Sequence, residues 1–152
     1  MEPPVQIRHI LSGEEPEVLR SGHLFGRAPP DPEAVRTYLA DVRNVLLLAF
    51  EGNEPVGFLR ATELAQLTSR RRQMFLYEIG VDEGFRRRGV GKALVNALLT
   101  DCRARGFAEV FVLTDPANVA AVALYRATGA VTETPADRMF VYPLRSSSDP
   151  AP

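Results

Sequence analysis

The stretch from Met74 to Ala104 constrains this chain more than any other. Met74 to Val81 is an apolar run of strand character. It leads through Asp82-Glu83-Gly84-Phe85 into Arg86-Arg87-Arg88-Gly89-Val90-Gly91-Lys92. A helical pattern then runs from about Val90 to Ala104, with Leu94, Leu98 and Cys102 at i, i+4, i+8 and Val95 and Leu99 beside them. Gly106 stands just past its end, where a helix is expected to stop. A helix that opens on a glycine-containing loop presents free N–H groups and the positive end of its dipole. Gly89 and Gly91, spaced i, i+2, let a ligand approach the backbone closely. Three arginines and Lys92 surround them. The local physics specifies an oligo-anion, and a pyrophosphate fits best.

The rest of the chain surrounds this unit with short elements. Val5 to Leu11 reads as a strand and Gly13 to Leu24 as a helix with Pro16 in its first turn. Asp31 caps a second helix that has Pro32 at its first position and Val35, Leu39 and Val42 as its apolar stripe. Val45 to Glu51 is a buried strand, Gly52-Asn53 a turn, and Pro55 to Glu63 the hairpin partner. Arg70-Arg71-Arg72 reads as a solvated loop. Val110 to Leu113 is a short strand, Asn118 to Thr128 a helix ended by Gly129, and Arg138 to Leu144 a final strand. A short strand at Ala130 to Glu133 is an additional option. Hairpins first and β-α-β units later make a mixed sheet covered by helices, an α/β (α+β) arrangement. Residues 1–145 form a single domain on this reading, and residues 146–152 a disordered tail.

Three phosphate-binding patterns compete for Arg86 to Lys92. A P-loop needs Gly-x4-Gly-Lys-Ser/Thr, but Arg86 stands where the first glycine should be and Ala93 where the hydroxyl should be. A dinucleotide fingerprint needs a small residue where Leu94 stands. The pattern Arg/Gln-x-x-Gly-x-Gly/Ala is satisfied by Arg86, Gly89 and Gly91. With it, the chain resembles the GNAT N-acetyltransferases, which hold the pyrophosphate of acetyl-CoA on this loop. Tyr77-Glu78-Ile79-Gly80-Val81 is similar to the family's central strand. A separate segment, Asn118-x-x-Ala121-x-x-Leu124-Tyr125-x-x-x-Gly129, resembles the family's next motif. The likeness spans about half the chain, from Met74 to Leu144, and its two motifs are independent.

The resemblance implies a GNAT fold with a sheet of about six or seven strands flanked by about four helices. It implies acetyl-CoA as cosubstrate and direct attack of an amine on the thioester in a ternary complex. The cofactor residues would be Ile79, Gly80, Val81, Arg86, Arg87, Arg88, Gly89, Val90, Gly91, Lys92, Asn118 and Tyr125. The central strand would splay from its neighbour and free backbone N–H groups at about Ile79 to Val81 for the thioester and pantetheine arm. Glu78 is the candidate base or ammonium-binding group, and Tyr125 the candidate acid for the departing sulfur. Asn118 would hold the pantetheine or order the loop before its helix. The bland readings stand beside these. Glu78 is also an ordinary exposed strand residue, on the face opposite Tyr77 and Ile79 by simple alternation, and Tyr125 also a half-buried helix residue. Cys102 sits on the apolar stripe and reads as core.

Composition excludes several classes. The chain has 152 residues, one cysteine and two histidines, so neither a disulfide framework nor a metal cluster is expected. Seventeen of its 18 basic residues are arginine, Lys92 being the exception, and the net charge is −1. That balance and the lack of aromatic interleaving argue against a nucleic-acid module. The N-terminal Met1-Glu2-Pro3-Pro4 does not resemble a signal peptide, and no apolar run is long enough to span a membrane. A cytoplasmic location without a membrane partner is the expectation, and a homodimer is compatible with it.

Charge also separates the halves. Residues 70–92 carry seven basic and three acidic residues, a net of +4, whereas residues 1–69 carry six and ten, a net of −4. An acidic first half suits a cationic amine, and equally suits ordinary solvated helix surfaces. Leu24-Phe25-Gly26, the Tyr77-Glu78 pair and Ala121-Val122-Ala123-Leu124-Tyr125 are similar to the aminoglycoside 3-N-acetyltransferase branch. Asn118, where that branch tends to carry an acid, and the run Pro29 to Pro32 depart from it. The acceptor expected is a primary amine on a small cationic molecule, an aminoglycoside among the options. A protein N-terminal or lysine acetyltransferase and a non-catalytic acyl-CoA sensor are the alternatives; the presence of both Glu78 and Tyr125 favours catalysis over the sensor.

Overall fold

A computed structural model describes residues 4–132, 136 and 139–144 of the chain. Five strands form one mixed sheet in the order β1-β2-β3-β4-β5. They are β1 (Val5–His9), β2 (Asn44–Glu51), β3 (Glu54–Leu64), β4 (Gln73–Val81) and β5 (Glu109–Val112). β1 to β4 pair antiparallel in sequence, and β5 joins β4 in parallel. The parallel step requires a crossover, which is the helix α3 (Val90–Ala104). α1 (Glu15–Arg20) and α2 (Pro32–Ala40) come before β2, and α4 (Val119–Ala127) follows β5.

The buried strand β2 explains the layering. Its unbroken apolar run has no polar face because both sides are covered. Val45, Leu47 and Ala49 face one cluster with Leu94, Leu98 and Cys102 of α3. Leu46, Leu48 and Phe50 face the other, against Val35, Tyr38 and Leu39 of α2. α3 buries Val90, Leu94, Val95, Leu98 and Cys102, the stripe expected from its spacing. Asp31 caps α2 as anticipated, its Oδ1 accepting from the Ala34 amide at 2.8 Å.

Several expectations are corrected. The sheet has five strands among the described residues, fewer than the expected six or seven. Met139 to Leu144 form no ladder, and side chains such as Phe140 and Leu144 remain exposed. A strand needs a neighbour for its N–H and C=O groups, and none of the described residues pairs with this segment; Arg138 lies outside them. Ala130 to Thr132 are likewise not a strand, and Glu133 lies outside the described residues, as do Arg145 and the tail 146–152. The first helix is shorter than expected, because the chain tightens into a 3-10 turn at Gly22–Leu24. Val42 falls beyond α2 and is exposed. Arg72 is not merely solvated: it pairs with Glu63 at 2.8 Å and lies over the Phe107 ring.

Gly80 matters to this packing. A Cβ there would lie 2.5 Å from Cε1 of Phe58, whose ring meets Phe25 edge-on at 4.7 Å. Gly80→Ala is expected to push Phe58 off its rotamer and cost about 1–3 kcal/mol. Urea unfolding would show it as a lower midpoint at unchanged slope; an unchanged midpoint would contradict the close contact.

Candidate active site

β4 supplies the centre of the site through two irregularities. The first is a bulge. Arg60 of β3 pairs with Glu78, but Ala61 pairs with Leu76, so Tyr77 is an extra residue on β4. The bulge corrects the simple alternation expected for Tyr77 and Glu78. Arg60 Nε donates to Glu78 Oε2 at 2.7 Å, while the Arg60 guanidinium lies 4.4 Å from the centre of the Tyr77 ring. Consecutive side chains of β4 therefore contact the same arginine. Tyr38 of α2, whose place is not evident from sequence, packs against the adjoining strands β2 and β3. Its hydroxyl donates to the carbonyls of Val45 and Ala61, 2.9 and 3.3 Å away. Burial pushes its phenol up to about 12, which keeps it a donor.

The second irregularity is the loss of β5. The parallel pairing runs from Gln73 with Glu109 to Leu76 with Val112 and stops. Glu78 to Val81 keep β3 on one side but, like the bulged Tyr77, have no paired strand on the other among the described residues. The Asp82 amide donates to the Val56 carbonyl at 2.8 Å, which sets the phase of the ladder. By alternation, Gly80 turns its backbone groups to β3, and Ile79 and Val81 turn theirs to the open slot. The expected opening at Ile79 to Val81 thus resolves into two slot-facing residues and one, Gly80, that serves packing.

The basic loop lies at the end of that slot. The Asp82 carboxylate accepts from the Gly84 amide at 3.0 Å and shapes the turn Glu83–Phe85. Arg86 Nε reaches back to the Val81 carbonyl at 3.3 Å. Arg87 takes φ +61°, the one non-glycine with positive φ among the described residues. Arg88 lies 5.0 Å over Phe85 and pairs with Glu51 at 3.4 Å. No ion pair engages Arg87 or Lys92 among the described residues. Gly89 is the left-handed N-cap of α3, at φ +82° and ψ 8°. It has no side chain to cap the helix, whereas Asp31 and Asn118 cap α2 and α4. The first intrahelical bond is from the Ala93 amide to the Gly89 carbonyl, so the amides of Val90, Gly91 and Lys92 precede the ladder.

The two glycines prove to have different tasks. Nothing within 4 Å would meet a Cβ on Gly89, whereas one on Gly91 would lie 3.2 Å from a methyl of Leu124. Gly89 keeps the mouth of the helix open, and Gly91 lets α4 seat against α3. The two sequence motifs therefore touch. Asn118 Oδ1 accepts from the Ala121 amide at 3.1 Å and starts α4, so its loop-ordering option is the one visible here. One turn after Ala121, Tyr125 packs against the α3-side cluster. Burial raises its phenol above the ordinary value, so it remains protonated at neutral pH. Glu78 and Tyr125 flank the sheet from opposite faces, with the slot beside β4 between those faces. Cys102 is buried, and burial pushes its thiol up to about 11, which makes it inert as a nucleophile. Among the described residues no group of acids, histidines or cysteine is arranged for a metal ion, and no helix is long and apolar enough to cross a membrane.

Comparisons with known proteins bear on the family and the fold. The model of the acetyltransferase (GNAT) family matches residues 6–130. Human N-acetyltransferase 8 is 30% identical over 97 residues, which are 64% of this chain and 43% of that protein. The chain thus spans less than half the length of such relatives. An aminoglycoside acetyltransferase from an uncultured soil metagenomic sample, solved with sisomicin, superposes with a TM-score of 0.85 at 26% identity. That match covers 93% of this chain and 97% of the other. AAC(6')-Iy, solved with a CoA-based bisubstrate analogue, shares the fold at a TM-score of 0.73 and 23% identity, over 94% and 99% of the two chains.

A ligand held at the mouth of α3 should stabilise the fold. Acetyl-CoA at about 100 times its Kd is expected to add about 2.7 kcal/mol, seen as a higher melting temperature. Gly89→Arg should abolish that shift, because the backbone is strained and the mouth filled; a shift that survives would place the coenzyme elsewhere. The chain belongs to the GNAT acetyltransferase family.

Proposed function

We propose that this protein transfers the acetyl group of acetyl-CoA to a primary amine of a small cationic acceptor, with an aminoglycoside as the favoured class. The observation that carries the reading is the open slot beside Ile79 and Val81, running to the side-chain-free N-terminus of α3. The elongated coenzyme needs both: amides and cations for its pyrophosphate, and unpaired strand for its pantetheine arm. Backbone groups of β4 can pair with that arm as a β5 extension would. The sisomicin complex of the soil acetyltransferase supports the acceptor class.

The residues divide the reaction between them. The pyrophosphate lies on the amides of Val90, Gly91 and Lys92, with Arg87 and Lys92 adding charge and Arg86 bracing the loop. Gly89 allows its approach. The slot-facing N–H groups of Ile79 and Val81 orient the thioester and stabilise the oxyanion. The acceptor nitrogen attacks the carbonyl carbon, forming the N–C bond. Glu78 attracts the ammonium and receives its proton, directly or through water. As the tetrahedral intermediate collapses, the C–S bond breaks, the sulfur takes the proton of the Tyr125 hydroxyl, and the second proton lost by the attacking nitrogen returns through solvent to the phenolate, leaving a neutral amide and a neutral thiol. Asn118 acts indirectly by fixing the start of α4, and so the place of Tyr125. No acyl-enzyme is involved, since Cys102 is buried.

A free-thiol release assay over aminoglycosides, polyamines, amino acids and peptides tests the reading. Release with none of them would overturn it. With the responding acceptor, Tyr125→Phe should lower kcat by about 10-fold or more, with acetyl-CoA KM nearly unchanged. The phenol's raised pKa means that its contribution is complete at neutral pH and fades only as pH rises past the usual tyrosine range. The rate difference between native and Tyr125→Phe protein should therefore narrow only at strongly alkaline pH. Glu78→Gln should lower turnover most at the acidic end, where more acceptor is protonated; a loss independent of pH would remove it from proton transfer.

A further inference from the structure

Glu78 already has a cation. Arg60 Nε donates to its Oε2 at 2.7 Å, from the residue directly opposite across the bulge. The pair is not sealed: the side chains are 37% and 44% exposed. Ion pairs this open contribute little to stability. The arginine also has a second support. Its guanidinium lies 4.4 Å from the centre of the Tyr77 ring, so it can leave the carboxylate and still rest on an aromatic face in contact with water. Glu78 Oε2 is thus occupied by a cation that is weakly held and has somewhere to go.

We propose that Arg60 determines acceptor specificity by holding the ammonium position at Glu78 until a protonated amine displaces it. This rests on Glu78 serving the acceptor, as proposed above. Displacement has two consequences. Every cationic acceptor binds against a competing intramolecular guanidinium, which raises KM. The displaced guanidinium stays near the site, so a second positive charge on the acceptor close to the reacting amine is repelled. Arg60 therefore disfavours closely spaced diamines more than monoamines, and selects acceptors whose other charges lie away from Glu78.

The test compares native protein with Arg60→Gln, Arg60→Met and Arg60→Lys, using a monoamine and a closely spaced diamine in the thiol-release assay. Arg60→Met retains an apolar stem under Tyr77 should the glutamine fail to fold, and melting curves with acetyl-CoA identify any variant that has lost its structure. The expected result is a KM for the acceptor lowered about two- to five-fold in the neutral variants, with the larger change for the diamine. The kcat should change less than two-fold, and Arg60→Lys should stay near native. The gain should vanish in a Glu78→Gln background. An unchanged KM overturns the proposal. A raised KM overturns it in favour of Arg60 holding an anionic group of the acceptor. A lowered kcat at constant KM overturns it in favour of Arg60 merely orienting Glu78. If native protein releases no thiol with any amine, the acetyl-transfer reading has failed, which none of the Arg60 outcomes would mimic.

Discussion

The parallel pairing of β4 with β5 ends after Leu76, and the organisation of the site depends on that ending. Each further ladder bond would satisfy backbone groups that are otherwise left to solvent, at about 1 kcal/mol of net stability apiece. Among the described residues the fold forgoes them over Tyr77 to Val81 on one side. What it retains on the other side is rigid: Gly80 lies against Phe58 and the Asp82 amide closes on Val56. A strand held on one edge and free on the other positions its donors without using them. In the proposed reaction such donors would meet developing charge without a reorganisation cost.

Charge is arranged around that slot in two regimes. At the mouth of α3 no ion pair engages Arg87 or Lys92 among the described residues, and the backbone adds its own positive end. Arg88 is the exception, tied to Glu51 of β2. Beside the bulge, positive and negative charge are matched one to one, Arg60 against Glu78. A surplus cation field suits a polyanion such as a pyrophosphate, which must be drawn from solution. A matched pair suits a site that receives one charged group in exchange for another. The near-neutral total of the chain, −1, conceals both arrangements.

Much of this was legible in the sequence, and the limits have physical causes. The bounds of α3 followed from one stripe and one terminal glycine, because a long amphipathic helix repeats its signal four times over. The loop was legible because Arg86, Gly89 and Gly91 fall at fixed spacing between a strand and a helix, and the left-handed φ of Gly89 shows why a glycine suits that place. The bulge at Tyr77 left no such mark. An extra residue in a strand changes the partner, not the composition, so alternation assigned Tyr77 and Glu78 to opposite faces. Arg60 and Tyr38 were missed for a related reason. Arg60 is brought to Glu78 by pairing across the sheet, and Tyr38 to the Ala61 carbonyl beside Arg60 by packing from α2, contacts between residues distant in sequence. The strand expected at Arg138 to Leu144 had the right residues, but composition cannot provide a partner edge.

The contact between Gly91 and Leu124 shows why two motifs separated in sequence belong to one device. Gly91 holds no side chain at the first turn of α3, and Leu124 fills the space. Tyr125 follows Leu124 directly, so the seating of that leucine sets the height of the phenol. The amides that would hold the pyrophosphate and the hydroxyl that would protonate the sulfur are thereby fixed against each other by one apolar contact. Their spacing does not depend on the flexible coenzyme that must bridge them. The fold sets that distance first, and on the proposed reading the coenzyme would conform to it.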